Sequence, residues 1–262
     1  MSAVIATAGI APMLATASVR AEQASQLILG ETGAVLETAG EWVRIRDDVD
    51  GYEGWVHRGY VRSVTEHDAA RWRAEATAWS EGARVQVEES TRRLPLRARV
   101  VLDGEDVILP DGARGRLLDG RIAAHTALER AARSQSVERW ALERFGGTPY
   151  QWGGLTPCGV DCSGLVQTAF LARGVTVPRD SSAQALFGTP IEPDRTEPGD
   201  LLFFRSEAGG PTITHVAFAA PDDRLIHSTI ACGGVVHESF ADGTRAGEAL
   251  RPRLVAARRF TA

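Results

Sequence analysis

The stretch PYQWGGLTPCGVDCSGLVQTAF, residues 149–170, carries Cys158 and Cys162 four positions apart. Such a pair could ligate a metal, form half of a disulfide, or supply a nucleophile. A C-x3-C spacing without a second paired unit is a weak zinc signature, so no metal site and no cofactor are expected. With Cys232 the chain holds three cysteines, too few and too odd for a disulfide framework. Cys158 and Cys232 are therefore read as structural. A nucleophilic Cys162 would need a base near it in space and usually remote in sequence.

Two histidines meet that need. The segment ITHVAFAAPDDRLIHST reads as two strands around Pro221-Asp222-Asp223, with His215 on the first and His227 on the second. Opposed residues of an antiparallel hairpin have a constant number sum and share a face. A three-residue loop pairing Ala220 with Arg224 sets Ala217 opposite His227. His215 and His227 then become diagonal neighbours, about 7–8 Å apart at Cα. A two-residue loop would send them to opposite faces. In the first case one imidazole takes the Cys162 proton, and the second, bonded to the far nitrogen of the first ring, fixes its tautomer and orientation. Read on composition alone, Cys162 fits a small buried hydrophobe equally well.

The elements that would position these groups follow from apolar spacing. Leu165, Val166, Ala169 and Phe170 form one stripe and Gly174 a stop, so a helix is predicted over 162–173 with Asp161 as its N-cap. Cys162 falls in its first turn, where the helix dipole favours thiolate over thiol and the Asp161 charge works against it. Upstream, Leu128, Ala132, Val137, Trp140, Ala141 and Phe145 predict a helical face that ends at Gly146-Gly147. Residues 1–64 read as short strands broken at Gly30, Ala39-Gly40 and Asp50-Gly51; EWVRIR has the alternation of a half-buried strand. Trp72, Ala76 and Trp79 predict a helical connector within 65–81, and strand patterns return over 82–126. The expected layout is two small β-barrels, 1–64 and 82–126, followed by a third domain over 127–262.

Composition removes several classes of function. Every basic residue is Arg, so Schiff-base chemistry and a P-loop lysine are excluded, and with no Asn a Cys-His-Asn triad is impossible. A net charge of −5 with interleaved arginines argues against nucleic acid. The apolar start AVIATAGIAPMLATA has no basic residue before Arg20 and is interrupted by Pro12. It is read as a first strand and not as a signal peptide, which predicts a cytoplasmic, monomeric chain with no membrane span.

The ordered motifs PYQWGG, DCSGLVQ, PRDSSAQ, EPGDLLFF, ITHVAFA and LIHS closely resemble the NlpC/P60 family of cysteine peptidases, over about 137–262. The resemblance implies a papain-like α+β domain with Cys162 as nucleophile, His215 as base and His227 as orienting residue. It further implies that Tyr150 and the Cys162 backbone N–H hold the oxyanion. RAEQASQLILGE, EWVRIR and GYEGWVHRGYV resemble a bacterial SH3 domain, and residues 82–125 a divergent second one. Together they resemble cytosolic γ-D-glutamyl-L-diamino acid endopeptidases of the dipeptidyl-peptidase VI type, which recycle murein peptides with a free N-terminal L-Ala.

From that resemblance Asp180 and Ser181 are expected to read the free amine, with Glu22 and Tyr52 of the first SH3 domain in the same pocket. Carboxylates around an ammonium accept a free terminus and reject an acylated one. Asp161, Ser163 and Trp152 are expected to border the substrate, Trp152 being open to a packing role as well. The expected partner is a small peptide, L-Ala-γ-D-Glu-diaminopimelate or its Lys counterpart. Two other readings of the same residues are a secreted hydrolase of intact peptidoglycan and an inactive SH3-based binder of wall peptides.

Overall fold

Strands dominate the first half of the chain and helices enter mainly in the second. The computed structural model describes residues 2–207 and 209–261. It divides into two compact units, residues 1–128 and 129–262.

The first unit contains two antiparallel sheets. Strands β1 (Ser2–Ala6), β2 (Ile10–Leu14), β3 (Gln23–Ile28), β4 (Thr32–Ala39), β5 (Trp42–Asp47), β6 (Glu53–His57) and β7 (Val61–Thr65) form the first, in the order β3-β2-β6-β5-β4-β1-β7. The apolar N-terminal segment is thus built into β1 and β2, and Ala3, Val4, Ile5 and Ala6 are fully buried. EWVRIR behaves as its alternation predicts: Val43 and Ile45 join Val4, Met13, Leu27 and Val56 in the core. Helix α1 (Glu66–Glu75) starts at Thr65, whose hydroxyl accepts the Asp68 N–H.

The connector helix is shorter than the Trp72, Ala76, Trp79 spacing predicts. It stops at Glu75, and Trp79 lies in β8 (Ala78–Glu81), with its ring 3.9 Å from that of His125. Pairing with two neighbouring strands outweighs the helical spacing of three residues. β8 belongs to the second sheet with β9 (Arg84–Val87), β10 (Ser90–Arg93), β11 (Leu96–Asp103), β12 (Asp106–Ile108), β13 (Arg114–Asp119) and β14 (Ile122–Ala124), ordered β10-β9-β13-β12-β11-β8-β14.

A buried seam joins the two sheets. Ile28 and Leu29 pack among Val85, Leu94, Val100 and Val107. The Arg99 N–H donates to the Leu29 carbonyl at 2.8 Å, and Trp72 Nε1 donates to the Gly30 carbonyl at 2.8 Å. Gly30 has φ +80°, and a Cβ there would lie 2.2 Å from the Arg99 carbonyl oxygen, so no other residue fits. Beside it Glu31 Oε1 receives Arg97 Nη2 at 2.6 Å and Nε at 2.8 Å, while Oε2 accepts the Ile28 N–H.

Asp47 makes stability depend on pH. Burial, then the charges of Asp50 and Glu31, push its carboxyl up to about 8, although its Oδ1 accepts the Val49 and Asp50 N–H groups. A carboxyl raised on folding contributes fully below its unfolded pKa, about 3.9, and that contribution is lost as pH rises through about 8. The unfolding temperature of this unit is expected to fall between pH 5 and pH 8. Asp47→Asn, read by circular dichroism melts across that range, should flatten the dependence.

The second unit is α+β. Its helices are α2 (His125–Arg133), which begins before the division, α3 (Val137–Phe145), α4 (Cys162–Leu171), α5 (Ser181–Gln184) and α6 (Arg245–Leu250). The single helical face predicted over 128–145 is two helices, because Ser134-Gln135-Ser136 interrupts it and Ser136 becomes the N-cap of α3. The strands are β15 (Leu155–Thr156), β16 (Gly159–Val160), β17 (Thr189–Ile191), β18 (Leu201–Arg205), β19 (Ile213–Ala220), β20 (Arg224–Thr229), β21 (Gly234–Ser239) and β22 (Leu254–Arg259). The main sheet runs β17-β22-β18-β19-β20-β21. Every residue of α4 is buried, and Phe170 stacks on Phe218 of β19 with ring centroids 6.1 Å apart. No described helix is long and apolar enough to cross a membrane.

Candidate active site

Asp161 fixes where α4 begins. Its Oδ1 accepts the Gly164 N–H at 2.7 Å and its Oδ2 accepts the Gly153 N–H at 2.8 Å. Arg179, 3% exposed, closes a bidentate pair on the same carboxylate at 3.1 and 2.6 Å and also donates to the Ser163 hydroxyl. A Cβ on Gly164 would come 2.1 Å from the Gly154 carbonyl, so the WGG loop rests directly on the first helical turn. Cys162 is held between these contacts.

The hairpin carries the second half of the site. Ala220 pairs with Arg224, Ala219 with Leu225 and Phe218 with Ile226, the three-residue one of the two loops the sequence allowed, with Asp222 and Asp223 at positive φ. His215 Nε2 and His227 Nδ1 are 2.7 Å apart. Ser228, next to His227, donates from Oγ to the Val160 carbonyl at 2.6 Å, tying β20 to the segment just before Cys162. The Val216 backbone N–H is directed at the Cys162 sulfur, which sets the nucleophile candidate against β19 one residue from His215.

The electrostatics correct one expectation. Burial pushes the Cys162 thiol up to about 12 and the Asp161 charge adds to the rise, against the Val216 N–H, Arg179 and the Ser163 N–H. Desolvation favours the thiol here and opposes the dipole of the first helical turn. The His215 imidazole is held well below its ordinary pKa by burial and by the charges of His227, Arg253 and Arg245. A raised thiol and a lowered imidazole both favour their neutral forms. Burial raises the Tyr150 phenol, and the Asp161 charge and, once ionised, the Cys162 sulfur add to the rise, so it stays a hydrogen-bond donor.

Other predicted residues separate into two groups. Asp161 and Ser163, expected to border a substrate, are each 6% exposed, and both are hydrogen-bonded to Arg179 at the start of α4. Trp152 is 57% exposed. Asp180 is exposed as the N-cap residue of α5, with the half-buried Ser181 beside it. In the first unit Glu22 is exposed just before β3, and Tyr52 is half-buried against the core of the first sheet. Cys158 and Cys232 are free and exposed.

Sequence reasoning missed Glu238. Its Oε1 lies 2.7 Å from His227 Nε2, and Arg245 Nε donates to its Oε2 at 3.1 Å. Burial raises its carboxyl, but the bonds with His227 and Arg245 prevail and hold it below the ordinary carboxylate range. The signal was available in the number sums. Leu225 pairs with Glu238 and His227 with Val236, which makes Glu238 the diagonal neighbour of His227.

Thiol attack served by an imidazole, on an α+β scaffold of this kind, is the chemistry of the cysteine peptidases. Residues 147–251 match the NlpC/P60 family, and residues 13–59 match the bacterial dipeptidyl-peptidase SH3 domain. The chain thus carries an NlpC/P60 domain, the domain of a cysteine peptidase family, with that SH3 domain ahead of it. It is 29% identical over 216 residues to the gamma-D-glutamyl-L-lysine dipeptidyl-peptidase of Bacillus subtilis, covering 78% of this chain and 71% of the relative. With the enzyme of the same name from Bacillus cereus it shares 27% identity over 225 residues, covering 78% and 66%. The crystal structure of an NlpC/P60 family protein from Bacillus cereus superposes with a TM-score of 0.77 over 98% of this chain and 99% of the other, at 21% identity, a likeness of fold.

Proposed function

We propose that this peptidase cleaves the γ-D-Glu to L-diamino acid bond of murein peptides that begin with a free L-Ala, releasing L-Ala-D-Glu in the cytoplasmic recycling of peptidoglycan. The observation that carries this reading is the relay of His215 and His227, 2.7 Å apart, on a strand whose Val216 N–H faces Cys162. The names of the Bacillus relatives support the choice of bond, and diaminopimelate or Lys would both present the required amine.

In this reading Cys162 Sγ attacks the γ-carbonyl of D-Glu as its proton passes to His215. The oxyanion is met by the Cys162 N–H and the protonated Tyr150. His215 then returns the proton to the departing diamino acid nitrogen, and water, deprotonated by the same imidazole, releases the acyl group from sulfur. His227 orients the base. Asp180 and Ser181, on the accessible start of α5, receive the ammonium of L-Ala.

A charged amine and a carboxylate bind through a charge-assisted hydrogen bond that acylation deletes. Free L-Ala-γ-D-Glu-diaminopimelate is expected to be hydrolysed, and its N-acetyl form to lose roughly 10- to 100-fold in kcat/KM, the range for losing a hydrogen bond to a charged group. Chromatography of the products from both peptides and from intact sacculi checks this. Equal turnover of the two peptides, or release from sacculi alone, would overturn the reading.

A further inference from the structure

The relay does not end at the second imidazole. His227 is 1% exposed, so water cannot compete for its ring nitrogens, and each meets a protein group: Nδ1 meets His215 Nε2 and Nε2 meets Glu238 Oε1, both at 2.7 Å. Arg245 holds Glu238 from the other side, with Nε on Oε2 at 3.1 Å and Nη2 on Oε1. An ionised carboxylate only accepts hydrogen bonds, and a neutral imidazole has one N–H and one lone pair.

We infer that Glu238 is a positioning residue for the reaction proposed above, on which this inference rests: by accepting the His227 Nε2 proton it sets the tautomer of both rings. His227 Nδ1 must then accept, His215 Nε2 must donate to it, and His215 Nδ1 is left as the basic nitrogen of that ring. The opposite tautomer would aim the His227 Nε2 lone pair at an anion in a buried site, and it would put a proton on His215 Nδ1, leaving no base. The lowered Glu238 pKa and the neutral state of His215 agree with this assignment. Arg245 keeps the carboxylate ionised and aimed. The device does for two imidazoles in series what a single buried acid does for one.

The test pairs a reading of tautomers with kinetics. Imidazole 15N NMR on the wild-type protein should show His215 and His227 both protonated at Nε2. Glu238→Gln keeps size and shape, but its amide can also donate to Nε2, so the alternative tautomer becomes populated. Its kcat on free L-Ala-γ-D-Glu-diaminopimelate is expected to fall about 10- to 100-fold with KM within about twofold, since only the base is affected. Nδ1 protonation of His227 in the wild type, or wild-type kcat in Glu238→Gln, would overturn the inference. The NMR arm needs no substrate. A wild-type enzyme inert toward the peptide would sink the proposed function and leave the tautomer assignment to be judged by its own spectrum.

Discussion

His215→Ala is expected to lower kcat about 10⁴-fold while leaving KM nearly unchanged, because it removes the group that takes the Cys162 proton and not one that holds substrate. The loss is large because burial and Asp161 push the Cys162 thiol up, so its ionisation depends on a nearby acceptor. The effects of the relay are not additive. His215→Ala combined with His227→Ala should be about as slow as His215→Ala alone, since His227 acts through the first ring. Phe204 packs on the His215 ring at 5.8 Å and stays fully buried, so circular dichroism should show an intact fold. Steady-state kinetics of the three variants decides the point, and a double variant clearly slower than His215→Ala would show that His227 works independently.

Glu31→Ala is expected to destabilise the first unit by about 3–5 kcal/mol, the range for removing one partner of a buried ion pair. Arg97 is 3% exposed, and without Glu31 its guanidinium would stay charged with its main acceptor gone. The Ile28 N–H would lose its acceptor too. For a unit of this size such a loss lowers the unfolding temperature by about 10 °C or more. Hydrogen exchange resolved by residue is the suitable measurement: protection should drop through β3, β4 and β11, whose ends meet at this seam, and remain in α4 and β19. Replacing Glu31 and Arg97 together by apolar residues of similar volume should restore most of the loss, because the desolvation cost disappears with the charges. Unchanged protection in Glu31→Ala would show that the pair contributes nothing.

The catalytic half was legible where a local rule had one solution. The Pro221-Asp222-Asp223 loop admitted two registers, and only the three-residue one let both histidines share a face; that register is the one formed. Asp161 was readable as an N-cap from the stripe of Leu165, Val166, Ala169 and Phe170 behind it. What was not legible depended on distant partners. Arg179 looks like any other arginine in the sequence, and nothing in PRDSS announces that its guanidinium lies buried on Asp161. That contact ties Asp161 and Ser163 into the support of the helix start. Trp79 misled because three apolar residues at helical spacing are too few to fix a helix; Trp79 lies in β8, where Ala78, Trp79 and Ser80 are all buried. The electrostatic setting of Cys162 was only half legible for a related reason: the dipole of a first helical turn is visible in sequence, whereas desolvation by the packed sheet is not.

The central claim is that the sulfur of Cys162, and neither of the two exposed thiols, performs the reaction. It is tested by comparing Cys162→Ala with the double variant Cys158→Ser, Cys232→Ser in hydrolysis of free L-Ala-γ-D-Glu-diaminopimelate. The predicted result is turnover at the wild-type rate in the double variant and a loss of about 10⁴-fold or more in Cys162→Ala. Residual activity in Cys162→Ala near that of the wild type, or its disappearance in the double variant, would contradict the account.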